Sequence, residues 1–193
     1  MKEYYFHRPL SREWDWESFF DLKITNAQEY FYWENIVTSL YLEFYNFFDK
    51  NGLIEHTVSL NIRYRFKKYL DREYANVSKL NIISLNEIQD DIDKITTLSK
   101  QKKLLSGEDV IFLSKCSARG LCYFGLVDMK SNSRLYPFNS DFLSYIFVVD
   151  DLNLDINTIF SKKDALYCYL NNQPFSKEED DMEYELSNHL FNG

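Results

Sequence analysis

Four charged side chains have the types and the order along the chain that metal-assisted hydrolysis requires. Two are aspartates, Asp109 and Asp128; Lys130 lies two residues beyond the second, and Glu87 lies upstream of both. Carboxylates hold a divalent cation, and a lysine beside that cation orients or deprotonates the attacking water. If these side chains converge in the fold, the sequence supports metal-dependent cleavage of a phosphodiester bond.

The order of these residues resembles the PD-(D/E)xK nuclease pattern. Asp109 begins a predicted strand at residues 110–113, Asp128-Met129-Lys130 ends the next predicted strand, and Glu87 lies on the preceding helix. The resemblance covers about twenty residues and departs from the pattern at Gly107-Glu108, where the family has a proline. It implies a nuclease that uses a divalent cation. The alternative is a surface turn, because roughly two acid-x-Lys triplets are expected by chance in this composition.

Other catalytic signatures are missing from the sequence. The three histidines, His7, His56 and His189, are too far apart to show zinc-ligand spacing. Five scattered glycines form no phosphate-binding loop, and neither Cys116 nor Cys122 lies in a nucleophile motif. We therefore expect no cofactor and no metal cluster. The odd set of three cysteines, completed by Cys168, indicates reduced and buried thiols in a cytoplasmic protein.

Negative charge is concentrated near the end of the chain. The 193 residues carry a formal net charge of -8, and residues 150–193 hold ten acidic against three basic side chains. We interpret this excess as a surface that steers and docks a basic partner. Its candidate contact residues are acidic, namely Asp150, Asp151, Asp155, Glu178, Glu179, Asp180, Asp181 and Glu183. The alternative is a solvated face whose carboxylates complement a helix dipole and keep the protein soluble.

Aromatic and basic segments suggest two further surfaces. Trp14 and Trp16 lie in a dense aromatic segment that either anchors a partner or folds back over the core. Arg63, Arg65 and Lys67 alternate along a predicted strand, as a phosphate-binding row would. The net charge of -8 repels a polyanion, so nucleic acid is an unlikely partner and a solvated edge strand is the commoner explanation.

The hydrophobic pattern predicts an α+β fold, in which a small, mostly antiparallel sheet packs with about four helices. Capping signals and apolar stripes place helices at residues 27–50, 85–104, 161–170 and 176–190. Alternating or short apolar runs place strands at 58–67, 110–113, 121–127 and 145–149, with a hairpin-like excursion between the last two. Without a linker or repeat, we expect residues 1–193 to form a single globular domain, helical to about residue 107 and sheet-containing from about 108.

Composition, charge and missing motifs together favour a binding protein over an enzyme. No signal peptide and no membrane-spanning apolar run is visible, so we expect a cytoplasmic location and no membrane partner. The favoured function is an inhibitor, similar to an immunity protein or antitoxin, that neutralises a basic protein such as a toxin or nuclease. The alternatives are the metal-dependent nuclease and a non-catalytic subunit of a larger assembly. The sequence leaves the oligomeric state open.

Overall fold

The structure, a computed structural model, describes residues 2–7, 27–49, 53–60, 85–101, 105–138, 144–151, 153–161 and 167–170. In these ranges the helices are α1 (Ala27–Phe48), α2 (Leu85–Leu98), α3 (Gly107–Ala118) and a short 3-10 helix (Ile156–Thr158). The strands are β1 (Lys2–His7), β2 (Ile54–Leu60), β3 (Cys122–Asp128), β4 (Arg134–Phe138), β5 (Ser144–Val149) and β6 (Tyr167–Leu170).

The six strands form one sheet in the order β2-β3-β4-β5-β1-β6, and every pairing is antiparallel. β3, β4 and β5 follow one another in sequence and in space, as short connections between antiparallel strands allow. β1, from the start of the chain, lies between β5 and β6, and β2 pairs with β3. The sheet therefore takes strands from both sides of residue 107, and the predicted α+β class is confirmed.

The main core lies between one face of the sheet and the helices α1, α2 and α3. Phe124, Tyr145 and Phe147 alternate with their neighbours along β3 and β5, and all three side chains are fully buried on this face. Tyr41 of α1 stacks on Phe124 with the ring centroids 4.7 Å apart, and Phe44 meets Phe147 edge to face at 6.0 Å. Aromatic rings thus fill the contact between helix and sheet.

The opposite face of the sheet holds a smaller apolar cluster. Ile146 and Val148 of β5 are each 5% exposed, and Tyr136 of β4 packs against them. β5 is consequently buried on both faces, which explains why its sequence is continuously apolar where a half-exposed strand would alternate. Among the described helices, none is long and apolar enough to cross a membrane.

Several predicted elements are confirmed with shifted ends. α1 and α2 confirm the helices predicted at residues 27–50 and 85–104, although α2 ends at Leu98. β3 and β5 confirm the strands at 121–127 and 145–149. β2 begins at Ile54, before the predicted start, and residues 61–67 of that predicted strand lie outside the described residues.

The strand predicted at residues 110–113 is wrong, because this segment lies within α3. Ser106 caps the helix: its hydroxyl accepts the Asp109 backbone N–H at 3.2 Å, and the Asp109 carboxylate accepts the Ser106 backbone N–H at 3.1 Å. The buried side chains follow helical spacing, at Val110, Leu113, Ser114, Cys116 and Ser117. This capping box and the buried stripe override the strand preference of the β-branched and aromatic residues.

The helix predicted at residues 161–170 is also wrong over its last four residues, which pair with β1 as strand β6. The pattern gave no strand at Lys2–His7, because its pairing partners are distant in sequence. The structure therefore describes three α-helices where about four were predicted. The helix predicted at 176–190 lies outside the described residues.

Arg119, at the end of α3, connects three helices through an ion cluster. Its Nε donates to Glu34 of α1 at 2.8 Å, and its Nη1 donates to Asp91 of α2 at 2.9 Å. Glu34 is only 4% exposed, so its carboxylate depends on Arg119 for compensation. Burial raises the pKa of Asp91 despite the neighbouring guanidinium, so this carboxylate is poorly solvated.

We expect Arg119→Ala to lower the free energy of unfolding by about 3 kcal/mol, because it leaves a buried carboxylate unpaired. Lys115→Ala is the matched control, since it removes one positive charge from the last turn of the same helix and should cost less than about 1 kcal/mol. Urea denaturation followed by circular dichroism measures both. Equal losses of unfolding free energy in the two variants would mean that Arg119 stabilises the fold no more than another positive charge at the end of α3 does.

Candidate functional site

The segment after β5 carries three exposed carboxylates, on Asp150, Asp151 and Asp155. We call residues 150–151 and 153–161 the acidic loop. Asp151 accepts the backbone N–H of Asn153 at 2.9 Å, and Asp155 accepts that of Asn157 at 3.0 Å to cap the 3-10 helix. Aspartate suits such turns because its short carboxylate reaches the N–H two residues ahead. These bonds orient the carboxylates and leave them open to solvent.

Buried apolar side chains hold the acidic loop against the core. Ile156, Ile159 and Phe160 are 8%, 6% and 1% exposed, and the Phe160 ring packs edge to face on Phe147 at 5.2 Å. Where the loop ends, the backbone N–H of Ser161 donates to the carboxylate of Glu43 on α1 at 3.0 Å, and the Ser161 hydroxyl donates to the same carboxylate. The exposed carboxylates therefore lie on a fixed segment.

The turn between β3 and β4, residues 129–133, lies at the same end of the sheet. The carboxylate of Asp128, a residue that is 4% exposed, accepts the backbone N–H of Ser131 at 2.9 Å and its hydroxyl at 2.5 Å. Asn132 adopts a left-handed conformation with φ of 55°, which asparagine tolerates better than most residues. A buried carboxylate thus organises this β3–β4 turn from within.

Asn132 connects the β3–β4 turn to the acidic loop. Its Nδ2 donates to the Asp150 carboxylate at 2.9 Å, while its Oδ1 accepts from the Arg134 guanidinium at 2.7 and 3.2 Å. Nothing in the local sequence pattern pairs Asn132 with the segment after β5. The structure therefore brings Asp150 beside the turn.

Two exposed apolar side chains at this end were also missed by the sequence analysis. Leu53 is 45% exposed and Met129 is 54% exposed. The two residues lie opposite each other where the β2–β3 pair ends, and the Met129 backbone N–H donates to the Leu53 carbonyl at 3.1 Å. The pairing of β2 with β3 creates this contact, so no local signal could have revealed it.

The residues of the nuclease hypothesis serve local structure. Asp109 caps α3, Asp128 organises the β3–β4 turn, Lys130 is exposed on that turn, and Glu87 is exposed in the first turn of α2. In the part of the chain that the structure describes, no group of three His, Cys, Asp or Glu side chains could hold a metal ion. The strand that was to present Asp109 is a helix, and the nuclease stays an untested prediction.

The other predicted contact residues cannot be placed. Trp14 and Trp16 lie outside the described residues, as does the acidic run of the last predicted helix, Glu178, Glu179, Asp180, Asp181 and Glu183. Of the eight predicted acidic contact residues, the structure places Asp150, Asp151 and Asp155 on one loop.

Titratable groups also line a small recess beside His56. Its lining includes Tyr45, Asp49 and Leu105, and its volume suits about one water molecule. The Tyr45 hydroxyl donates to the Leu105 carbonyl at 3.0 Å. Burial lowers the pKa of His56, although the Gln101 backbone and the charge of Asp109 oppose that shift. Half-buried and unprotonated at neutral pH, the imidazole acts as a structural group between β2 and the segment that follows α2.

The cysteines that the structure describes in full are not reactive. Cys116 and Cys122 are free and buried, which confirms the prediction of buried thiols for these two. Burial raises the pKa of both thiols, so neither forms a thiolate nucleophile at neutral pH.

The chain was compared with known proteins at three levels. It matches no protein-family model, and neither a curated protein nor a solved structure is significantly similar to it.

We expect acid to destabilise the wild-type protein through His56. The pKa of His56 is lower in the folded than in the unfolded state, so the unfolded chain takes up the proton first as pH falls. The free energy of unfolding therefore decreases once the pH is below the ordinary histidine pKa of about 6.5. His56→Gln removes the titrating imidazole and with it this pH dependence. Thermal unfolding between about pH 7.5 and about pH 5 should show the wild type losing stability relative to the variant. Parallel pH profiles would contradict the assignment.

We also expect Asp128→Ala to destabilise the protein by about 1–3 kcal/mol, because partly buried donors of the β3–β4 turn lose their acceptor. Asp93→Ala, which removes an exposed carboxylate from α2, is the control and should stay within about 0.5 kcal/mol of wild type. Chemical denaturation measures both. If Asp128→Ala leaves the free energy of unfolding unchanged, the carboxylate does not hold the turn.

Proposed function

We propose that this protein is a non-enzymatic binding protein that neutralises a basic macromolecular partner, in the manner of an immunity protein or antitoxin. The observation that carries the proposal is the acidic loop, where Asp150, Asp151 and Asp155 are exposed on a segment fixed by buried side chains. Carboxylates that are already oriented lose little conformational freedom on binding. They also steer a cationic partner during its approach.

The net charge of the chain supports the same interpretation. A formal charge of -8 attracts a basic protein at long range and repels nucleic acid. Cys116 and Cys122, which are free and buried, suit a reducing compartment, so the proposal places the protein in the cytoplasm. Both features support a protein partner that is cationic and intracellular.

The test uses the triple variant Asp150→Asn, Asp151→Asn and Asp155→Asn. Asparagine keeps the capping and turn geometry of aspartate and removes the charge, so the fold should be unaffected. The control is Asp90→Asn, Asp93→Asn and Glu108→Gln, which removes three exposed charges away from the loop. Each immobilised protein is exposed to an extract of the native host, and bound proteins are identified by mass spectrometry.

We expect a protein with a pI above about 9 to be retained by the wild type and the control but lost from the loop variant. With that protein purified, stopped-flow measurements should show association about tenfold slower for the loop variant at low salt. The difference should shrink as added salt screens the charges. Retention of no basic protein, or equal association rates for both triple variants, would overturn the proposal.

A further inference from the structure

We infer that Leu53 and Met129 form the apolar centre of the contact with the partner. The partner is a basic protein that receives the two side chains in an apolar depression bordered by lysine or arginine. The inference rests on the proposed function and identifies the surface through which it acts. The observation behind it is the juxtaposition of two exposed apolar side chains with the acidic loop at one end of the sheet.

The two apolar residues lie opposite each other, one residue beyond the last described pair of β2 and β3. Leu53 immediately precedes β2 and Met129 immediately follows β3, and the backbone hydrogen bond between them closes the end of this strand pair. About half of each side chain is open to solvent. A single exposed leucine needs no explanation, but affinity in protein contacts concentrates in a few apolar groups that meet at a centre.

The backbone beneath Met129 is fixed. Asp128 accepts three hydrogen bonds from the turn, including one from the Lys130 backbone N–H at 3.4 Å, and is itself almost fully buried. Met129 therefore extends from a rigid base, while its own side chain can adapt to an irregular surface. A contact made by such a residue orders few additional groups on binding.

Carboxylates lie at the same end of the sheet as the apolar pair. Asn132, on the same turn as Met129, donates to Asp150, and Asp151 follows directly. Two cations lie nearby: Lys130 is exposed, whereas the guanidinium of Arg134 already donates to Asn132. A basic protein can pair with the carboxylates while its apolar depression receives Met129.

The charge of the chain decides between possible occupants. A second copy would bring another formal charge of -8 to the contact, and nucleic acid would bring phosphates beside Asp150 and Asp151. Both are repelled at long range. A cationic protein is attracted, so we assign the surface to that class of partner.

Photocrosslinking tests this surface directly. p-Benzoylphenylalanine is placed at Met129, and in a separate control protein at Asp93, which is exposed on α2. Both proteins are irradiated in an extract of the native host, and adducts are identified by mass spectrometry. Circular dichroism first confirms that each labelled protein is folded.

We expect an adduct with a basic protein from position 129 and none from position 93. Adding Asp150→Asn and Asp151→Asn to the position 129 protein should reduce the adduct at least about fivefold. With the adduct protein purified, Met129→Asp should weaken binding at least about tenfold, whereas Met129→Leu should stay within about threefold of wild type.

Other outcomes overturn the inference. An adduct of two copies of this chain would assign the surface to self-association, and a nuclease-sensitive adduct would assign it to nucleic acid. If affinity capture retains a basic protein but position 129 yields no adduct, the partner contact lies elsewhere and the proposed function stands. If neither experiment finds a basic protein, the proposed function fails as well.

Discussion

The packing of α1 across the sheet is the interaction on which the rest of the structure depends. Tyr41 stacks on Phe124 and donates its hydroxyl to the Phe124 carbonyl, so a large buried side chain is both packed and satisfied. The same helix carries Glu34, which holds Arg119, and Glu43, which holds Ser161. One helix therefore fixes the core, the end of α3 and the end of the acidic loop. The high aromatic content, with 16 Phe and 15 Tyr, supplies the rings that this contact buries.

How much of the fold could be predicted depended on where each element finds its stabilising partners. α1 and α2 have local signals, namely caps and an apolar stripe with helical period, and both were predictable from sequence. α3 has an equally local signal in Ser106 and Asp109, but its first apolar residues, Val-Ile-Phe, are typical of a strand. β1 and β6 pair with each other although most of the chain separates them in sequence. Such pairing leaves no periodic pattern in the sequence of either segment.

The residues of the candidate site also differ in whether the sequence alone could reveal them. Charge is visible in composition, so Asp150, Asp151 and Asp155 could be selected from the order of residues alone. The contact between Leu53 and Met129 could not, because it exists only when β2 and β3 are paired. Asp128 is an intermediate case: its carboxylate was assigned to metal chemistry or to a turn, and its hydrogen bonds to Ser131 favour the turn.

Attachment at both ends determines how the acidic loop can bind. Asn132 bonds to Asp150 at its start, Glu43 bonds to Ser161 at its end, and Phe160 is buried between these points. A segment restrained in this way has little freedom to follow the contours of different partners, in contrast to flexible surfaces that bind promiscuously. In the proposed function, selectivity would come from the match between these carboxylates and the spacing of cations on the partner. Because these hydrogen bonds are already formed in the free protein, ordering the loop would cost little entropy on binding, and a few side chains at the centre of the contact would supply the affinity that the proposed inhibitor needs.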